Sequence, residues 1–156
     1  MLRNKDKKLL LELLKNGRLS FSKLGRICKM TRQSVFSRIK TLKNEGIIKN
    51  FTVNLDEKKL GLNLKAYILV ETEPLRINRE KAWNLLKALP QISQVHQLFG
   101  RYSFLIEVVV RNIDELSEIV RKVHRIEVVR RTETMIVFKT EKYWPQHPLE
   151  GVLSSK

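Results

Sequence analysis

The sequence predicts an α+β protein: an N-terminal helix-turn-helix domain followed by a C-terminal ferredoxin-like βαββαβ sandwich domain. Three observations predict it. Three short capped helix patterns fill the first 50 residues, an alternation of strand and helix patterns follows, and the basic charge is concentrated in the helical part. The chain of 156 residues carries a net charge of +15. Residues 1–50 hold 14 Lys/Arg against 3 Asp/Glu, a net of +11, whereas residues 51–156 hold 17 against 13, a net of +4. Solubility explains a modest charge but not so lopsided a one. A polyanion bound by the N-terminal part explains both.

The first helix runs from a cap at Asn4 to about Asn16, with Asp6 in its first turn and Leu9, Leu10, Leu13 and Leu14 on one face. Gly17 stands at the position after its C-cap. Ser20 caps a second, short helix carrying Phe21, Leu24, Ile27 and Cys28 on one side. Lys29 and Met30 make the turn. Thr31 caps a third helix reaching Asn44 or Glu45, whose apolar stripe is Val35, Ile39 and Leu42, flanked by Phe36. Gly46 stops it, and Ile47 and Ile48 are expected to re-enter the core.

Phe51, Val53 and Leu55 alternate with polar residues, so this segment begins as a strand, and Asp56 to Gly61 follows as a turn or single helical turn. Further strands are expected over 64–73 (closed by Pro74), 92–99, 103–110 and 128–140, with helices over 79–89 and from Asp114. The helix over 79–89 places Ala82, Leu85, Leu86 and Leu89 on one face. A four-stranded sheet backed by two helices leaves one face bare, and apolar positions there call for a partner. The expected domains are 1–49 (helix-turn-helix), 50–62 (linker strand and turn), 63–142 (ferredoxin-like) and 143–156 (a tail without periodicity, in which Tyr143 and Trp144 pack locally).

The outer face of the third helix carries the function. Arg and Gln make paired hydrogen bonds to guanine and adenine edges, and Ser, Thr and Lys suit phosphates or base edges. The DNA-binding candidates are Ser20, Thr31, Arg32, Gln33, Ser34, Ser37, Arg38, Lys40, Thr41 and Lys43, with Arg38, Lys40 and Lys43 mostly contacting phosphates or steadying the helix. No catalytic residue, metal site or cofactor is expected. His96, His124 and His147 are scattered without acidic or cysteine partners, and no phosphate-binding glycine loop or nucleophile elbow is present. RNA recognition by the sheet is the rival reading. Gly100-Arg101-Tyr102-Ser103-Phe104-Leu105 faintly matches the base-stacking strand of such domains, but Glu107 replaces its last aromatic residue and the basic charge lies elsewhere. A single cysteine, no apolar run of bilayer length and no signal peptide make a cytoplasmic protein without membrane contact the expectation.

Taken together, these residues resemble the Lrp/AsnC family of transcription factors over about residues 2–142. The resemblance rests on Asp6, Leu9-Leu10, Asn16-Gly17-Arg18-Leu19-Ser20, Val35, Arg38-Ile39-Lys40, Leu42 and Gly46-Ile47-Ile48, continuing through Phe51, Asp56, Leu60-Gly61 and Ala66. Leu89-Pro90, Gly100, Asp114-Glu115-Leu116, Thr132 and Thr134 complete it. It implies a winged or plain helix-turn-helix reading a near-palindromic site in double-stranded DNA. It also implies a homodimer paired through its sheets, with the strand near Phe51–Val53 pairing across it, and assembly to tetramers or octamers. A small-molecule effector, an amino acid or related metabolite, is implied too, at Gly100, Arg101, Tyr102, Ser103, Thr132 and Thr134. Three positions depart from the family pattern. Lys29 replaces a turn glycine, so the turn needs either a positive φ from a non-glycine residue or another geometry. Ser103 replaces an aspartate that would hold an ammonium group. Glu127-Val128 replaces a Pro-Gly.

Overall fold

The computed structural model describes residues 2–73, 76–141 and 146–154. Pro74, Tyr143 and Trp144, to which the sequence assigns strand closure and local packing, lie outside them. The chain divides into two compact units, Met1–Asn54 with Lys142–Lys156, and Leu55–Glu141.

The first unit is helical. Its elements are α1 (Asn4–Lys15), α2 (Phe21–Cys28), α3 (Arg32–Asn44) and, from the far end of the chain, α6 (His147–Ser154). Leu9, Leu24, Val35 and Leu42 are fully buried, with Leu10, Cys28 and Ile39 beside them. These are the stripes that helical spacing places on one side of each helix. Ser20 and Thr31 cap α2 and α3, their hydroxyls accepting the Lys23 and Ser34 N–H groups at 3.2 and 3.1 Å. Several expectations need correcting. Arg3, not Asn4, is the cap of α1, because the Asp6 carboxylate reaches back to accept the Arg3 N–H. Gly17 does follow the C-cap Asn16, though without a positive φ, since Asn16 leaves the helix in an extended conformation. Of Ile47 and Ile48, only Ile48 packs on the core. The supposed tail contains α6, whose Leu153 packs against the helical core. Leu149, Val152 and Leu153 have helical spacing, which the nearby Pro148 and Gly151 obscure at the sequence level.

The second unit opens with a single tight turn over Lys58–Leu60 and then runs β1 (Leu64–Thr72), α4 (Arg76–Lys87), β2 (Ile92–Gln97), β3 (Phe104–Val110), α5 (Ile113–His124) and β4 (Val129–Ile136). The sheet is antiparallel in the order β2-β3-β1-β4. Cross-strand partners share a face. Ala66, Ile68 and Val70 of β1 lie opposite Val108, Ile106 and Phe104 of β3, and all six are fully buried. They form a core with Ala82 and Leu86 of α4 and Leu116, Ile119 and Val123 of α5. Leu85 is exposed instead, because Ala82 and Leu86, four residues apart, define the inward face of α4. β4 stops at Ile136 rather than near Thr140. Its neighbour β1 begins at Leu64, and the Val137 N–H to Lys65 carbonyl bond is the last rung available to it. Phe51–Leu55 is not a strand. Strand backbone needs a ladder partner, and this segment has none within the described residues, leaving Phe51, Val53 and Leu55 at least half exposed.

The other sheet face carries Tyr67 and Leu69, Leu105, Glu107 and Val109, and Glu133 and Met135. Glu107 is only 9% exposed. It accepts the Ser93 hydroxyl at 2.7 Å and the Tyr67 hydroxyl at 2.9 Å, with the Lys65 ammonium 3.4 Å away. Burial pushes its carboxyl up, but these hydrogen bonds and the Lys65 charge outweigh burial and hold it below the ordinary glutamate value.

Two outcomes are expected. Because the folded state lowers the Glu107 pKa, its contribution is complete above the unfolded value of about 4.3 and disappears as pH falls through the lower folded one. Glu107→Gln should therefore flatten the acid limb of stability against pH, as followed by denaturant melts between pH 2 and 7. For the helical unit, Leu153→Ala should lower stability by about 1–2 kcal/mol, less than for a fully buried leucine. An unchanged urea midpoint would show that α6 does not dock there.

Candidate nucleic-acid interface

The turn between α2 and α3 sets the direction of everything beyond it. Lys29 takes the left-handed conformation at φ 52° and ψ 53°, and is the one non-glycine residue with positive φ among those described. The chain thus keeps the usual turn geometry with a side chain in the glycine position, at a cost of about 1–2 kcal/mol. The Met30 N–H then closes on the Gly25 carbonyl at 2.8 Å. Gly25 is buried, and a Cβ there would lie 2.6 Å from the Met30 carbonyl oxygen. Only glycine admits this close passage of backbone past helix. The sequence reading passed over Gly25; its signal was a glycine sitting inside the apolar pattern of α2.

From this turn α3 emerges with Thr31 as cap, whose Oγ1 also lies 2.8 Å from the Ser34 hydroxyl. With Val35, Ile39 and Leu42 facing the core, helical geometry puts Gln33, Ser37 and Lys40 on the opposite side. Arg32, Gln33, Ser34, Ser37, Lys40 and Lys43 are all exposed. Thr41 is half-buried and donates to the Ser37 carbonyl at 3.0 Å. Ser20 is exposed at the start of α2. Phe36 leans on Phe21 with ring centroids 6.0 Å apart, so it belongs to α2–α3 packing.

Arg38 differs from the rest. Its Nε donates to Asp6 Oδ1 at 2.7 Å and its Nη2 donates to Oδ2, a bidentate pair spanning 32 residues of sequence. Asp6 is 1% exposed, and its Oδ2 also accepts the Arg3 N–H at 3.2 Å. Burial pushes the Asp6 carboxyl up, but the Arg38 and Arg3 hydrogen bonds and charges hold it below the usual aspartate value. Sequence reasoning placed both residues on their helices but could not pair them.

In the second unit, Gly100 turns with φ 128° before β3. Arg101 lies over the Tyr102 ring and 3.7 Å from a Glu71 oxygen. Tyr102 donates its hydroxyl to Glu133 at 2.5 Å on the uncovered face of β4, whereas Thr132 and Thr134, paired with Val70 and Ile68, alternate to the helix-covered face. Thr132 meets the His124 ring at 2.5 Å, and Thr134 is exposed. Ser103 is 3% exposed, and its hydroxyl pairs with that of Thr72 at 2.8 Å. Position 103 is thus a closed, uncharged contact. Phe104 is fully buried against Trp83, so it has no face on which to stack a base.

Among the described residues there is no group of three metal-ligating side chains, and no helix is long and apolar enough to cross a membrane.

Comparison with known proteins agrees with the two-part architecture. A family model described as the Lrp/AsnC ligand binding domain matches residues 65–146, and one described as a winged helix-turn-helix DNA-binding domain matches residues 2–49. The HTH-type transcriptional regulator FL11 of Pyrococcus furiosus is 32% identical over 145 residues, covering 93% of this chain and 95% of its own. The transcriptional regulator AzlB of Bacillus subtilis is 29% identical over 154 residues, covering 96% and 97%. The solved structure of E. coli AsnC superposes with a TM-score of 0.85 at 24% identity, covering 92% and 97% of the two chains. The Neisseria meningitidis regulator NMB0573, solved as its L-Met complex, superposes with a TM-score of 0.87 at 23% identity, covering 96% and 99%.

The turn is open to direct test. Gly25→Ala should shift it, lowering stability by about 1–3 kcal/mol and abolishing specific DNA binding. Lys29→Gly should do the opposite, raising the denaturant midpoint by the equivalent of about 0.5–1 kcal/mol as the left-handed strain is relieved.

Proposed function

The chain belongs to the Lrp/AsnC family of DNA-binding transcription regulators, and from that premise we propose how its two units divide the work. The helical unit reads DNA. A dimer, formed when the bare sheet face meets that of a second copy, presents two α3 helices to successive turns of the major groove, about 34 Å apart. Its site is correspondingly near-palindromic. Arg32, Gln33, Ser34 and Ser37 reach base edges, Lys40 and Lys43 contact phosphates, and Ser20, Thr31 and Thr41 steady the helix ends against the backbone. The observation that carries this reading is the exposed polar face of α3 opposite a fully buried apolar stripe, in the unit that holds most of the excess charge.

Sheet pairing is supported by half-buried Leu69, Leu105 and Val109 and by the exposed Met135 on one uncovered face. Phe51–Val53 becomes a strand in the dimer, gaining the ladder it lacks in a single chain. Further assembly to tetramers or octamers places the turn at Gly100–Ser103 and the Thr132–Thr134 segment between dimers, as the effector site. With Ser103 uncharged and bonded to Thr72, an amino-acid effector must be held by groups other than position 103. NMB0573, whose structure contains L-Met, supports the amino-acid class for this domain. The same reading makes the chain a regulator with no catalytic role, acting in the compartment that holds the DNA.

Selection of bound sequences from a random duplex pool tests the proposal. The expected result is a palindromic consensus with half-sites about one helical turn apart. On that consensus, Arg32→Ala and Gln33→Ala should each cost ~1–3 kcal/mol and relax one base position. Lys40→Ala should weaken all sequences alike and reduce the salt slope by about 1. Salt-sensitive binding without any consensus would overturn the base-reading roles.

A further inference from the structure

We propose that Arg38 is a positioning residue: clamped by Asp6, it sets the rotation of α3 about its own axis and so determines which side chains face the DNA. This rests on α3 being the recognition helix. Arg38 lies on the helix boundary, between the buried stripe of Val35, Ile39 and Leu42 and the outward Gln33 and Ser37. An apolar stripe tolerates some rolling of a helix, because hydrophobic contact is non-directional. A bidentate guanidinium–carboxylate pair does not, because both its hydrogen bonds must stay in one plane.

The Asp6 end of the pair is fixed. Asp6 is buried in the first turn of α1, and its second oxygen is already held by the Arg3 N–H that it caps. No other acid of the helical unit is buried among the described residues. An acid next to a DNA-reading helix repels phosphate, so its presence in the strongly basic unit calls for a compensating role. Holding Arg38 is the role that the geometry shows. The arginine pays for this with its availability, since its charged end is engaged by both carboxylate oxygens and its side chain is 26% exposed.

The two roles open to Arg38 predict opposite signs for one substitution. If Arg38 served as a phosphate contact restrained by Asp6, then Asp6→Asn would release it, tighten binding and steepen the salt slope by about 1. The clamp predicts that Asp6→Asn weakens binding to the selected site by about tenfold, the scale of one misplaced base contact, with the salt slope unchanged. Asparagine still offers an oxygen to the Arg3 N–H, so α1 keeps its cap. Arg38→Lys retains the charge but loses the fork, and should show the same loss. The double variant Asp6→Asn/Arg38→Lys should be no worse than either single one. Binding to random duplex, retained within about twofold, shows that each variant is folded and still basic. Unchanged or tighter specific binding by Asp6→Asn would overturn the clamp, as would additive losses in the double variant. If the wild-type chain selects no consensus, it is the recognition role of α3 that fails, and that outcome is separate.

Discussion

The buried carboxylate of Asp6 joins the beginning of α1 to the middle of α3, and much of the helical unit follows from that junction. It caps the first helix through the Arg3 N–H and meets Arg38 across 32 residues of sequence with both oxygens. A buried acid of this kind is tolerated only when it is fully paired. The packing of Leu9, Leu24, Val35 and Leu42 brings the helices together, while the ion pair and the tight Gly25–Met30 passage restrict how they meet. Hydrophobic burial thus supplies the driving force, and two polar, directional contacts supply the geometry.

The sheet unit is built on the reverse balance. Its core is a continuous apolar layer under two helices, while its polar network sits on the uncovered face around Glu107. That face combines half-buried leucine and valine with a fully paired carboxylate. The combination suits pairing with a like face, since the Glu107 charge keeps its own partners when water leaves. The division of charge matches the division of labour, with the excess in the helical unit and near balance in the sheet unit.

Much of this was legible in the sequence, for identifiable reasons. Helix caps such as Ser20 and Thr31 act on residues three positions away, and apolar stripes repeat within a few turns, so both are local signals. The four-stranded sheet backed by two helices followed from the number and type of elements. What escaped depended on contacts distant in sequence. The Asp6–Arg38 pair joins two helices, and Thr72–Ser103 and Tyr102–Glu133 each link positions 31 residues apart. The end of β4 was set by where β1 begins, not by the apolar run through Val137 and Phe138. The segment around Phe51 reads as a strand in sequence because alternation signals a preference, whereas forming a strand requires a neighbour. The helix α6 was hidden by Pro148 and Gly151, residues that ordinarily mark a break.

The central claim is that DNA lies along the outward face of α3 and not on the sheet. Photocrosslinking tests it most directly, with a cysteine-tethered crosslinker placed at Gln33, at Ser37 or at Leu105 of the sheet face and a bound duplex as the target. The account predicts efficient crosslinks from positions 33 and 37, confined to the major groove of each half-site, and none from 105. Crosslinks from position 105 with none from 33 and 37 would contradict it and move the nucleic acid to the sheet.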